Sequence, residues 1–173
     1  MRSTITVAVL VLIVAAVAGA GYLLSNRSMG TLAVGVTDSP IPSNVTHIFL
    51  TITNIVLQGE SNSTVTFAVN ATTFDLLKLN NITKMLGSQS VPAGNYTMIR
   101  FNVTSAIATI AGSNVTLNVP SGQVKVPLTT QKLVVKPGEK TTIVLDITPV
   151  MTNVSASYNL RPVVTVKSVS GPS

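Results

Sequence analysis

From Thr31 onward the chain alternates apolar and polar residues with a period of two, and no stretch of convincing length repeats with the helical period. In "TLAVGVT" Leu32, Val34 and Val36 share one face; in "HIFLTITNIVLQ" Ile48, Leu50 and Ile52 do, with a bulge expected near Asn54. "VTFAV" reads as a short strand, and "YTMIRFNV" turns Ile99, Phe101 and Val103 inward. "NVTLNV" does the same with Val115, Leu117 and Val119, "TTIVLDI" with Ile143, Leu145 and Ile147, and "LRPVVTVKS" with Leu160, Pro162, Val164 and Val166. Turn residues separate these runs, among them Asp38-Ser-Pro, Pro92-Ala-Gly-Asn, Ala111-Gly-Ser and Pro137-Gly-Glu. "FDLLKLNNITKMLG" is open to two readings, a strand or a short helical turn closing one end of the domain. The pattern predicts an all-β domain, an antiparallel β-sandwich of the immunoglobulin or transthyretin-like type.

The N-terminus breaks this pattern. "MRSTITVAVLVLIVAAVAGAGYLL" carries one Arg and then an apolar run from Ile5 to Leu24, long enough to cross a bilayer as a helix. It also holds Ala18-Gly19-Ala20, the small-residue pattern of a signal-peptide cut, so it is either a transmembrane anchor or a signal helix cleaved after Ala20. Arg2 on the short side puts the remainder outside the cell. The expected organisation is an anchor or signal at 1–24, a linker at 25–29, an extracellular sandwich at 30–169 and a tail at 170–173. The expected location is the cell membrane, single-pass with the C-terminal domain outside, or the cell surface after cleavage.

Composition sharpens this. Only 9% of the residues are charged, far below the ~25% of an average soluble domain, so Thr, Ser and Asn must keep the surface wet. The net charge of +6 reflects few acids, and the lysines are scattered singly among 4% aromatic residues; a nucleic-acid partner is not expected. The absence of Cys excludes disulfides and thiol chemistry.

The acceptor triplet for N-linked sugar, Asn-x-Ser/Thr, occurs at Asn26, Asn44, Asn62, Asn70, Asn81, Asn95, Asn102, Asn114 and Asn153. That is 9 of 13 asparagines, where 40 Ser and Thr in 173 residues would give 13 × 40/173, or about three, by chance. Asn102 and Asn114 alternate against inward residues and are expected to face solvent, and Asn44, Asn62, Asn81 and Asn95 fall in or beside turns. A cysteine-free, sugar-dense exported chain fits an archaeal envelope.

Chemistry is harder to find. Five acids, Asp38, Glu60, Asp75, Glu139 and Asp146, are too scattered for a carboxylate pair, and the single His47 lacks partners for zinc. No Gly-x-Ser-x-Gly elbow occurs. Phe49, Phe74 and Phe101 read as core, and three tyrosines with no Trp offer little platform for a carbohydrate. No enzyme activity, metal or cofactor is expected.

The phrases "GTLAVGVTDSP", "FDLLKL", "VPAGNYTMIRFNV", "VPSG", "TTIVLDI" and "YNLRPVV" together resemble, in this order, the domain of unknown function numbered 4382, over about residues 30–166. The resemblance implies an exported β-sandwich with no established activity. Its signature residues read as structural: Gly94 and Gly122 permit turns, Asp38 caps a loop, and Arg100 is a candidate ion-pair partner of Asp146. Two functions remain: an anchored envelope glycoprotein with a structural or adhesive role, and a surface-filament subunit that donates "SNRSMGTLAVGV" to a neighbour by strand addition. A surface module binding a small ligand or carbohydrate is a more remote reading.

Overall fold

The structure is a computed structural model that describes residues 28–38, 44–60, 63–80, 82–129, 131–154 and 157–171. The apolar run at 5–24, Asn26, Asn62 and Asn81 lie outside the described residues, as does the side chain of Asn70. Among the described residues no helix is long and apolar enough to cross a membrane.

The strands in chain order are β1 (Met29–Asp38), β2 (Val45–Gly59), β3 (Thr64–Asp75), β4 (Lys84–Pro92), β5 (Gly94–Ile110) and β6 (Ser113–Asn118). They continue with β7 (Gln123–Pro127), β8 (Leu133–Val135), β9 (Lys140–Thr148), β10 (Met151–Val154), β11 (Ser157–Leu160) and β12 (Val163–Ser170). One sheet runs β12-β9-β1-β4; the other runs β10-β11-β6-β5-β2-β3, with β7 and β8 also pairing with β5. The chain is thus all-β, and the ambiguous "FDLLKLNNITKMLG" segment answers to both readings: its ends belong to β3 and β4, and Leu76–Leu79 forms a 3-10 turn.

The expectation of purely antiparallel pairing needs correction, because both sheets are mixed. β1 runs parallel to β9, and β11 parallel to β6. Period-two alternation identifies a strand and its inward face but carries no information about the direction of its neighbour. A parallel pair needs a long connection, and the β1–β9 crossover is most of the chain.

β1 is buried on both faces. Leu32, Val34 and Val36 point into the core at 0% exposure, and Ala33, Gly35 and Thr37 on the opposite face are buried as well. That second face is built from small residues because its neighbours come close. A Cβ on Gly35 would sit 2.9 Å from Met85 Sδ and from Thr83 Cγ2, so a larger residue would require those side chains to shift.

The core is one cluster drawn from both sheets, with Ile48, Leu50 and Ile52 of β2, Ile99 and Phe101 of β5, and Ile143 and Leu145 of β9 against the β1 face. The pairing register of β2 shifts between Ile52 and Asn54, and that of β5 shifts across Thr104. Each bulge inserts one residue and reverses which parity faces inward. Ile55 and Leu57 of β2, and Ala106 and Ala108 of β5, are therefore buried although they are out of phase with the residues before the bulge. The same device appears at the edge strand β12, where a shift between Val166 and Ser168 falls at Lys167, a combination that blunts an open edge.

Both ends of the described chain meet at one end of the domain: Ala93 N donates to Ser28 O at 2.8 Å, and Gly171 lies beside Lys140 and Thr141. The start of β2, the 3-10 turn, the β5–β6 hairpin and the end of β9 lie at the far end. That hairpin turns on Ala111 and Gly112, with φ of 47° and 81°, between the paired residues Ile110 and Ser113. Two consecutive positive φ values define a type I′ turn, which an alanine enters only at a cost. Ala111→Gly is expected to stabilise the fold by about 1 kcal/mol, measured by denaturant unfolding; an unchanged or lowered midpoint would count against the turn assignment.

Candidate functional site

The outer face of the larger sheet carries a ladder of hydrogen-bonding groups, hydroxyls and amides with Arg100 among them. Alternation along β2 and β5 turns Thr51, Gln58, Arg100, Asn102 and Thr104 away from the core, and each finds a partner on an adjoining strand. Thr51 and Thr73 hydroxyls meet at 2.8 Å, Arg100 Nη2 donates to Gln58 Oε1 at 2.6 Å, and Asn118 Nδ2 donates to Asn159 Oδ1 at 2.8 Å. Such cross-strand pairs fix register and solvate the sheet with little charge.

The acceptor asparagines within the described residues fall into two groups. Asn44, Asn95, Asn114 and Asn153 are exposed. Asn44 precedes β2, with its carbonyl accepting from Ala111 N at 3.3 Å. Asn114 opens β6, and its Oδ1 accepts from Thr109 Oγ1 at 2.8 Å. Asn95 sits at the opposite end of the domain and donates to Glu60 Oε2 at 3.1 Å. Asn153 lies on β10, directly across from Tyr158 of β11.

Asn102 differs. It faces outward as the alternation requires, but it is half-buried at the middle of β5, and its Nδ2 donates to Asn54 Oδ1 of β2. Asn95 also donates from its Nδ2 but is exposed, whereas the Asn102 nitrogen that would carry a sugar is part-buried between strands. The expectation that Asn102 stands open to solvent, like Asn114, does not survive. A central strand of a wide sheet has neighbours on both sides, whereas Asn114 begins a hairpin strand.

The proposed Arg100–Asp146 pair is not formed. Arg100 is on β5 and Asp146 on β9, in different sheets, and each alternates with core residues on its own strand, so their side chains leave opposite outer faces. Arg100 instead bonds Gln58, and its Nε lies 3.3 Å from Met98 Sδ.

A cluster that sequence reasoning missed lies at the far end. His47 Nδ1 is 2.6 Å from Asp75 Oδ2, with side-chain exposures of 37% and 5%. Asp75 Oδ1 also accepts from Ile48 N at 3.1 Å and from Leu77 N at 3.2 Å, the second bond capping the 3-10 turn. The available signal was an Asp immediately before an apolar turn, the pattern of an N-cap. The His47 ring stacks on Phe49 at 5.5 Å and 12°. Phe49 is 37% exposed, contrary to its reading as core, because Ile48 and Leu50 on either side hold the inward positions.

A carboxylate that orients one nitrogen of a half-exposed histidine also occurs in catalytic and metal sites. Here the pair ties β2 to the end of β3. Among the described residues no group of three or more His, Cys, Asp or Glu is placed to hold a metal.

Three open clefts accompany these features. One, of about 450 Å³, lies between β5, β6 and the start of β11, beside Thr104 and Ser105. A second, of about 670 Å³, surrounds Ser28, Glu60 and Asn95. The third, of about 430 Å³, is the most apolar and lies between Val45, Ile110 and the β10–β11 hairpin.

Fold and surface together define an all-β domain of two mixed sheets with a hydroxyl- and amide-rich exterior. The chain belongs to the family described as Domain of unknown function (DUF4382), whose family model matches residues 29–162, from the first residue of β1 to just before β12. No curated protein and no solved structure matches it.

Asp75→Ala is expected to cost about 3 kcal/mol, since it leaves two backbone N–H groups and His47 without their acceptor. His47→Ala should cost at most about 1 kcal/mol, because the half-exposed ring is replaced by water. Denaturant unfolding of both variants tests this; equal losses would show that the His47 contact, not the backbone clamp, carries the stability.

Proposed function

We propose that the protein is a non-catalytic, N-glycosylated component of an archaeal-type cell envelope, with a structural or adhesive role. The apolar segment at 5–24 holds it in the membrane, and residues 30–169 form an external sandwich of the immunoglobulin or transthyretin-like type. The observation that carries this reading is the exposure of Asn44, Asn95, Asn114 and Asn153 in the folded domain, distributed over both of its ends. Sugars there would add hydration to the surface of a chain in which only 9% of the residues are charged. The polarity of the fold agrees with anchoring, since the chain enters at Ser28 beside Ala93 and directs the far end away from the attachment point.

A second reading is favoured by one feature. β1 is an N-terminal strand inserted between β4 and β9, which do not otherwise pair, and this is the geometry that a donated strand requires. In a filament, the slot would be filled by the β1 of a neighbouring copy.

The intact mass of the protein purified from its native host, before and after sugar removal, tests the main reading. The expected stripped mass begins at Met1, and the expected difference corresponds to several sugars, with none on Asn102 in the peptide map. No mass change on stripping would overturn the glycoprotein assignment, and a start at Gly21 or later would remove the anchor.

A further inference from the structure

The cleft of about 430 Å³ beside the β10–β11 hairpin is lined by Val45, Ile110, Met151 and Tyr158, and by two of the exposed acceptor asparagines, Asn44 and Asn153. Apolar side chains are left open to water around it, with Val150 at 40% exposure. Asn153 and Tyr158 are directly paired across the hairpin, so their side chains leave the same face, and Met151 shares that face two residues along. A group attached to Asn153 Nδ2 therefore emerges beside the Tyr158 ring, at the mouth of the cleft.

We propose that the sugar on Asn153 is a structural part of the domain: it folds back over Tyr158 and fills this cleft. The inference rests on the glycoprotein reading above and assigns one of its sugars a specific seat. The C–H face of a pyranose ring is apolar while its hydroxyls are not, so it can cover Tyr158, Met151 and Val150 on one side and face water on the other. An aromatic ring offers a flat apolar surface for such packing, with its own hydroxyl left free to bond a sugar oxygen. A concave, mainly apolar site with a few polar groups at its edge is the usual form of a small-molecule pocket. Here the occupant is supplied by the chain itself, at no cost of association. Asn95 gives the contrast, since it stands at the opposite end of the domain with its amide on Glu60.

The test compares Asn153→Gln, Asn44→Gln and Asn95→Gln, each made in the native host as the full chain. Intact mass, thermal midpoint and binding of an apolar fluorescent dye are read for each. Removing the Asn153 sugar is expected to lower the midpoint by about 3 °C and to raise dye binding, while Asn95→Gln changes the mass alone. The same Asn153→Gln change made in a host without N-glycosylation should have no effect, which separates loss of sugar from loss of the asparagine. If Asn153→Gln loses a sugar with no change in midpoint or dye binding, the seat is overturned and the glycoprotein reading stands. A loss of stability confined to Asn44→Gln overturns the assignment to Asn153. If no variant changes mass, both readings fall together.

Discussion

β4 and β9 belong to the same sheet only because β1 lies between them. Leu32, Val34 and Val36 occupy the centre of the shared core with no exposure, and on the other face Gly35 leaves room for the Met85 and Thr83 side chains. Without this strand the smaller sheet would separate into the β9–β12 pair and an isolated β4, and the core face of the larger sheet would lie open. A strand covered on both faces has a sequence that approaches a continuous apolar run, as Leu32–Val36 does. The N-terminal position of β1 makes the constraint consequential: whatever holds the segment before Ser28 is attached directly to the strand on which the fold closes.

The exterior follows a different logic. A sheet surface needs groups that bond water and do not attract a neighbouring edge, and most proteins use charge for this. This chain uses threonine hydroxyls and asparagine amides, paired across strands as in Thr51–Thr73 and Asn54–Asn102. The amides at strand ends and turns remain accessible, whereas those inside the ladder are held in place. One residue type thus serves two purposes, and position in the sheet decides which. The cleft beside Asn153 fits the same division, with an apolar surface beside a site of modification.

The inward faces of the long strands were legible because alternation is a local property. Ile48, Leu50, Ile99, Phe101, Ile143 and Leu145 are buried where the period-two pattern puts them, and the bulge near Asn54 is where the alternation itself breaks. β7, β8, β10 and β11 escaped notice because they span three to five residues each, too few for a period to register. Strand direction escaped for a different reason: the parallel β1–β9 pair joins residues more than a hundred positions apart, and neither sequence states the orientation of the other. The candidate site divides the same way. Exposure of Asn44 and Asn95 follows from adjoining turn residues and that of Asn114 from alternation, but the engagement of Asn102 depends on Asn54 of another strand. The link between His47 and Asp75 is likewise non-local, and Arg100 and Asp146 were matched by charge alone across what turn out to be two different sheets.

The account stands on β1 completing the domain of its own chain, and this can be read from one covalent link. The chain contains no cysteine, and Thr31 of β1 faces Ser90 of β4 directly in the antiparallel register, within disulfide reach. Thr31→Cys and Ser90→Cys should be introduced together, the protein oxidised on the surface of its native host, and the product sized under denaturing, non-reducing conditions. The account predicts a single species of monomer mass with both thiols consumed. A covalent ladder of dimers, trimers and longer chains would mean that β1 completes a neighbour's sheet, and would contradict it.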